Sequence, residues 1–116
     1  MSAGGNESAR RVRACDLSEL KPGEIRQAAD DPRIAVYNVD GEIFATADLC
    51  THDRSSLSQE GYLDGDQVEC GWHMAKFCVR DGAVTAPPAT EPLDTYRVCV
   101  DGADVYVVVD ESDPTT

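Results

Sequence analysis

Two runs of strand-forming residues joined by Asp40-Gly41 constrain this chain more than any other feature. Residues 33–39 read RIAVYNV and residues 42–47 read EIFATA. Both runs are rich in β-branched and aromatic side chains, which suit a pleated, half-buried surface. A two-residue connection favours the type I′ turn, which needs positive φ at both central positions and is readily made by Asp-Gly. Within RIAVYNV a period of two puts Ile34, Val36 and Asn38 on one face and Ala35, Tyr37 and Val39 on the other. A second hairpin is predicted where TYRVCV (95–100) and DVYVVV (104–109) flank Asp101-Gly102-Ala103. RVRAC (11–15) predicts an earlier strand, and a Leu-Lys-Pro-Gly turn at 20–23 leads into GEIRQAA and an Asp-Asp-Pro turn at 30–32. Only DLSEL (16–20) shows a helical turn, with Asp16 or Ser18 as its cap. The fold class is all-β and antiparallel.

Between the two hairpins the texture changes. Residues 48–92 are rich in Gly, Asp, Ser and Pro, with brief strand-like pieces only at QVEC (67–70) and KFCVR (76–80). So few apolar residues cannot offset the conformational entropy of ordering a core of their own. A metal centre would supply the missing cross-link. A chain of 116 residues suits one domain. The expected organisation is a disordered tail over 1–10, opening MSAGGNES, and a single domain over 11–111. A metal-stapled subdomain at about 48–92 is inserted in its β scaffold.

Charge narrows the partners. Twenty-two acidic side chains against 10 basic ones give a net charge of −12. Neutralising phosphates requires a basic surface, so nucleic acid is excluded as a partner. Residues up to Ser58 hold 7 basic and 10 acidic side chains, and the remainder hold 3 and 12, so the second half is the acidic one. Such a surface favours solubility and docking onto basic protein patches. No segment approaches the roughly 18 apolar residues of a membrane span. Arg10-Arg11 is followed by VRACDLSELKPGE, which lacks the apolar region of an export signal. Five cysteines fit a reducing compartment better than a disulfide framework, so a cytoplasmic location is expected, and the chain is separately expected to be a monomer.

The chemistry is concentrated between Cys50 and His73. Cys50 is followed two residues later by His52, and Cys70 three residues later by His73; these are the chain's only histidines. Each short segment thus offers one thiolate and one imidazole to a common site. Zinc accepts a closed tetrahedral Cys2His2 set, although its usual spacing groups Cys with Cys and His with His. Mixed pairs on two equivalent loops also suit a [2Fe–2S] cluster in which one iron takes both thiolates and the other both imidazoles.

CTH, followed after seventeen residues by CGWH, resembles the Rieske motif C-x-H…C-x-x-H. The flanking EIFATADLCTH, LSQEGYLDGDQVECGWHMAKFCVRDG and APPATEPL are similar to the Rieske ferredoxin components of multicomponent aromatic-ring-hydroxylating dioxygenases. The resemblance spans roughly residues 12–109. It implies three stacked antiparallel sheets with an inserted cluster-binding subdomain, and one [2Fe–2S] Rieske cluster held by Cys50, His52, Cys70 and His73. The cysteine pair would ligate one iron, lying deeper, and the histidine pair the other, at the exposed tip. Two ferric irons, two sulfides and two thiolates sum to zero charge when both imidazoles are neutral, so reduction adds one negative charge. Trp72, Met74, Ala75 and Phe77 would surround the cluster, with Pro88 of Pro87-Pro88 in a loop that covers it.

Departures from the wider Rieske pattern sharpen this expectation. High-potential respiratory Rieske proteins read like C-T-H-x-x-C and C-x-C-H-G-S-x-Y, with a disulfide between the second cysteines of the two loops. Here Ser55 and Trp72 occupy those positions, so that disulfide is excluded. The serine and tyrosine hydroxyls that bond the cluster sulfurs there are replaced by Ala75 and Phe77. A potential near the low end of the Rieske range, roughly −150 to +300 mV, follows. Cys15, Cys78 and Cys99 sit in strand-like runs and are expected to be small buried hydrophobes. Asp53, Glu60, Asp64 and Asp66 are candidate docking carboxylates on the first ligand loop.

Oxygen activation needs a further iron held by two histidines and a carboxylate, and both histidines are already committed. No G-x-G-x-x-G dinucleotide fingerprint occurs. The resemblance therefore implies an electron-transfer component rather than an enzyme. It would carry single electrons from an NAD(P)H-dependent flavin reductase to the terminal oxygenase of an aromatic-ring dioxygenase. The alternatives are the small Rieske-like subunit of an assimilatory nitrite reductase, and a zinc-stabilised binding module.

Overall fold

The fold follows from which strand faces find apolar partners. The computed structural model describes residues 9–30, 33–51, 56–71, 75–87 and 90–110. The N-terminal stretch 1–8 and the Asp31-Pro32 part of the predicted turn lie outside them. Ten strands form among the described residues: β1 (Ala9–Asp16), β2 (Ile25–Asp30), β3 (Arg33–Val39), β4 (Glu42–Ala47), β5 (Tyr62–Asp64), β6 (Gln67–Glu69), β7 (Lys76–Cys78), β8 (Val84–Ala86), β9 (Thr95–Asp101) and β10 (Asp104–Asp110). A one-turn helix, α1 (Leu57–Glu60), precedes β5.

Every ladder is antiparallel. One sheet runs β1-β10-β9-β4-β3-β2 and a second runs β5-β6-β7-β8. Only two residue pairs, Ala45–Tyr96 and Thr46–Thr95, join β4 to β9. The long sheet folds at this narrow seam, and its halves close over one core. Cys15, Val105, Val107 and Val109 come from one half and Ile34, Val36 and Ala45 from the other. The opposite face of β3 presents Ala35, Tyr37 and Val39 to a second core, which they share with the small sheet. This gives the three expected layers.

Strand β3 therefore has apolar partners on both sides, and each residue from Ile34 to Val39 is buried. Asn38 is the polar exception within it. Its Nδ2 donates to the Leu20 carbonyl at 2.7 Å, and its Oδ1 accepts from Gly41 N–H at 2.7 Å. A buried amide is tolerable because both ends are satisfied.

The β3–β4 turn takes the predicted geometry, with φ of 53° at Asp40 and 99° at Gly41. At the C-terminal hairpin Asp101 pairs with Asp104, so the loop is Gly102-Ala103, one residue tighter than the sequence reading placed it. The DLSEL segment is a 3₁₀ turn over Leu17–Glu19 capped by Asp16, not Ser18. Asp16 Oδ1 accepts from Ser18 N–H at 2.9 Å and Glu19 Oε1 accepts from Asp16 N–H at 3.0 Å, a reciprocal capping box.

Among the described residues, the segment at 48–92 has no core of its own. Its Leu57, Val68, Phe77 and Val79 are buried together with Ala35, Tyr37 and Val39 of the scaffold. Arg80 also ties the two sheets across their edge. Its guanidinium meets Glu42 at 3.4 Å and Asp66 at 3.1 Å, and lies 4.9 Å from the Phe44 ring centroid.

Candidate metal centre

At two places described residues a few positions apart in the chain meet again, each time beside a cysteine. The first spans 49–56. Leu49 and Ser56 form an isolated antiparallel bridge, and Leu57 N–H donates to the Asp48 carbonyl at 2.7 Å. The second spans 70–75 and closes when Cys70 N–H donates to the Ala75 carbonyl at 2.7 Å. Cys50 and Cys70 stand at these two closures, 1% and 0% exposed. Both belong to one apolar cluster with Leu57, Ala75, Phe77 and Leu93.

The loops also touch through the spacer helix. Gly71 lies so close to the end of α1 that a β-carbon on it would stand 1.9 Å from the Glu60 carbonyl oxygen. Only glycine permits that approach, which seats the second loop against the helix issuing from the first. A third segment is fastened to the same region. Thr51 Oγ1 donates to the Glu91 carbonyl at 2.7 Å, and Ala47 N–H donates to the Asp94 carbonyl at 2.8 Å. These bonds bring the chain that follows Pro87-Pro88 alongside Cys50.

Asp48 anchors the first loop from below. Its side chain is fully buried. Oδ1 accepts from Ser58 N–H at 2.8 Å, and Oδ2 accepts from Ser56 Oγ–H at 2.6 Å and Arg33 Nη2–H at 3.3 Å. Ser56 in turn caps α1, accepting from Gln59 N–H at 3.3 Å. A buried carboxylate persists only when paired and hydrogen-bonded in this way.

The donor chemistry fits an iron–sulfur cluster. Thiolate-ligated iron tolerates an apolar lining, and Leu57, Ala75, Phe77 and Leu93 are buried together with both cysteines. Tyr37, buried in the same cluster, does not offer its hydroxyl. Thr46 Oγ1 donates to the Ala47 carbonyl at 2.8 Å, so the 2.7 Å contact between Tyr37 and Thr46 uses the tyrosine proton. Burial raises the Tyr37 pKa well above the ordinary phenol value, and the Asp48 carboxylate pushes it the same way.

The structure brings Cys50, Cys70, Ala75 and Phe77 together as the sequence pattern implies. The other expected site residues, His52, Trp72, His73, Met74 and Pro88, lie outside the described residues, as do Asp53 and Ser55. Cys15 is buried, and burial raises its thiol pKa, whereas Cys78 and Cys99 are only partly buried, against expectation. They lie on β7 and β9, strands with one face packed and the other turned toward solvent. Of the predicted docking carboxylates, Glu60 and Asp64 are exposed, and Asp66 is engaged by Arg80. Sequence reasoning passed over Asp48, Arg33 and Gly71. The available signals were an acidic residue two positions before Cys50 and a glycine directly after Cys70.

Comparison with known proteins places these features in a family context. The Rieske [2Fe-2S] domain family matches residues 10–97. The chain is 54% identical over 97 residues to the biphenyl dioxygenase ferredoxin subunit of Pseudomonas sp. (strain KKS102), covering 83% of this chain and 89% of that one. It is also similar to a chain in the solved complex of reduced oxygenase and oxidized ferredoxin in carbazole 1,9a-dioxygenase. There the TM-score is 0.81 at 38% identity, covering 88% of this chain and 95% of the other. A putative nitrite reductase small subunit shares the fold, with a TM-score of 0.69 at 22% identity over 84% of this chain and 97% of that one.

Proposed function

The chain belongs to the Rieske [2Fe-2S] family, and on that premise we propose that it is a one-electron carrier of an aromatic-ring dioxygenase system. The [2Fe–2S] cluster supplies a single reversible electron, and this chain's residues hold, shield and present it. In this reading Cys50 and Cys70 hold one iron and His52 and His73 the other. An NAD(P)H-dependent flavin reductase donates and a terminal oxygenase accepts, in the cytoplasm. Among the described residues no helix is long and apolar enough to cross a membrane.

One observation carries the proposal. Two cysteines from separate loops are buried in one apolar cluster, each standing where a short loop closes. That arrangement suits a resident cofactor whose thiolate side is sealed from water. Shielding of this kind keeps bulk solvent away from the sulfur ligands. The flanking edge is acidic, with exposed Glu60 and Asp64, and favours a basic docking face on the partner. Similarity to ferredoxin subunits at 38–54% identity supports the carrier role over a nitrite reductase subunit, whose likeness extends to the fold.

The test is direct. Purified protein contains two irons and no zinc per chain, and dithionite reduction produces an EPR signal of Rieske type. The protein also restores turnover to a biphenyl-type reductase and oxygenase pair. A colourless zinc protein, or a Rieske centre that supports no such turnover, overturns the assignment.

A further inference from the structure

A cluster with ligands on two loops requires the loops to be held at one separation, and the structure shows a chain of contacts that does this from underneath. It starts at Arg33 on β3, whose guanidinium meets the Asp48 carboxylate and whose carbonyl accepts from Asp48 N–H at 3.0 Å. It continues through Ser56 Oγ and Ser58 N–H, both donating to Asp48, into the first turn of α1. It ends where the Glu60 carbonyl, at the last residue of α1, abuts Gly71 beside Cys70. Strand, carboxylate, helix and second loop thus form one continuous support. Asp48 is its only fully buried charged member.

We propose that Asp48, together with Arg33 and Ser56, is a positioning group that sets the spacing of the two ligand loops and so governs how firmly the cluster is held. This rests on the reading that Cys50 and Cys70 are cluster ligands. Asp48 does not touch the ligands' reacting atoms in this scheme; it acts through α1. An aspartate is required because three donors converge on it, one of them a guanidinium. Asparagine keeps the shape but turns one acceptor oxygen into a donor facing other donors.

The experiment follows cluster release from holoprotein into excess ferrous chelator, well below the thermal midpoint, alongside the EPR spectrum of the reduced form. Asp48→Asn is expected to release iron about tenfold faster or more, the factor associated with losing one charge-assisted bond, and to broaden the EPR lines. Ser56→Ala is expected to accelerate release more modestly, and Ser56→Thr, which retains the hydroxyl, to restore the parental rate. Arg13→Ala, which breaks a surface pair with Asp104 at 3.0 Å far along β1, is expected to leave both readouts unchanged. If Asp48→Asn fails to fold, the Ser56 pair decides. Parental release and spectra in Asp48→Asn, or equal release in Ser56→Ala and Ser56→Thr, overturn the proposal. A parent protein that carries no iron–sulfur cluster overturns the underlying reading instead.

Discussion

Replacing Ala75 by Ser and Phe77 by Tyr should raise the reduction potential. Both parent residues are 0% exposed and share the apolar cluster that buries Cys50 and Cys70. Ala75 closes the second loop through its carbonyl, and Phe77 sits opposite Val68 in the neighbouring strand β6. Neither side chain offers a donor, and the nearby Tyr37 hydroxyl is committed to Thr46. Sulfur ligands here therefore gain no side-chain hydrogen bond from these three residues when negative charge is added. A charge-assisted bond is worth about 1.5–3 kcal/mol, of which only part is gained on reduction. For one electron, 59 mV corresponds to about 1.4 kcal/mol. Two such bonds should lift the potential by on the order of 100–200 mV, from a parent near the low end of the Rieske range. Protein-film voltammetry on each single variant and the double variant measures this. A hydroxyl that reached no acceptor would instead cost about 1–3 kcal/mol of stability, visible in urea unfolding. Variants that load the cluster, keep parental stability and still show potentials within about 20 mV of the parent would refute the reasoning.

Cys50→Ser and Cys70→Ser should each abolish the visible iron–sulfur spectrum, since the proposed ligation places both thiolates on one iron; retention of a Rieske EPR signal in either would remove that cysteine from the ligand set. Gly71→Ala should cost at least about 2 kcal/mol in urea unfolding or prevent cluster loading, because the new β-carbon would meet Glu60 backbone at 1.9 Å. Stability should also fall at alkaline pH. Below the ordinary tyrosine value of 10.0 both folded and unfolded Tyr37 are neutral and its contribution is intact. Above it the unfolded chain ionises while burial keeps the native phenol protonated, a loss approaching about 1.4 kcal/mol per pH unit. Urea unfolding from pH 9 to 12 should show this slope, reduced in Tyr37→Phe to the part due to Tyr96 and Cys15, which burial shifts the same way.

Much of the scaffold was legible because its signals are local. RIAVYNV and EIFATA predict β3 and β4 to the residue, and Asp40-Gly41 encodes its own turn in the φ preferences of two side chains. The short pieces of the insert were less so. Tyr62–Asp64, Val84–Ala86 and the helix Leu57–Glu60 are three or four residues long, too short for a periodic pattern to emerge. Ser56 before LSQE was the available cap signal, and its meaning depends on Asp48, eight residues earlier.

Residue type and spacing alone named the ligand candidates, since a thiol and an imidazole two or three positions apart can reach a common site. The sequence likewise determined that hydroxyl donors are missing at positions 75 and 77. Tertiary structure decided that Cys50 and Cys70 share one buried cluster, that the insert borrows the outer face of β3 for its core, and that a glycine lets the second loop rest on α1. It also decided the fate of Asp48. In the sequence Asp48 is one carboxylate among many; burial beside Arg33 and Ser56 makes it the foot of the first loop. The physical reason is range: turn geometry and ligand chemistry are set by neighbouring residues. Burial and pairing depend on partners many positions away, brought together only when the sheets close.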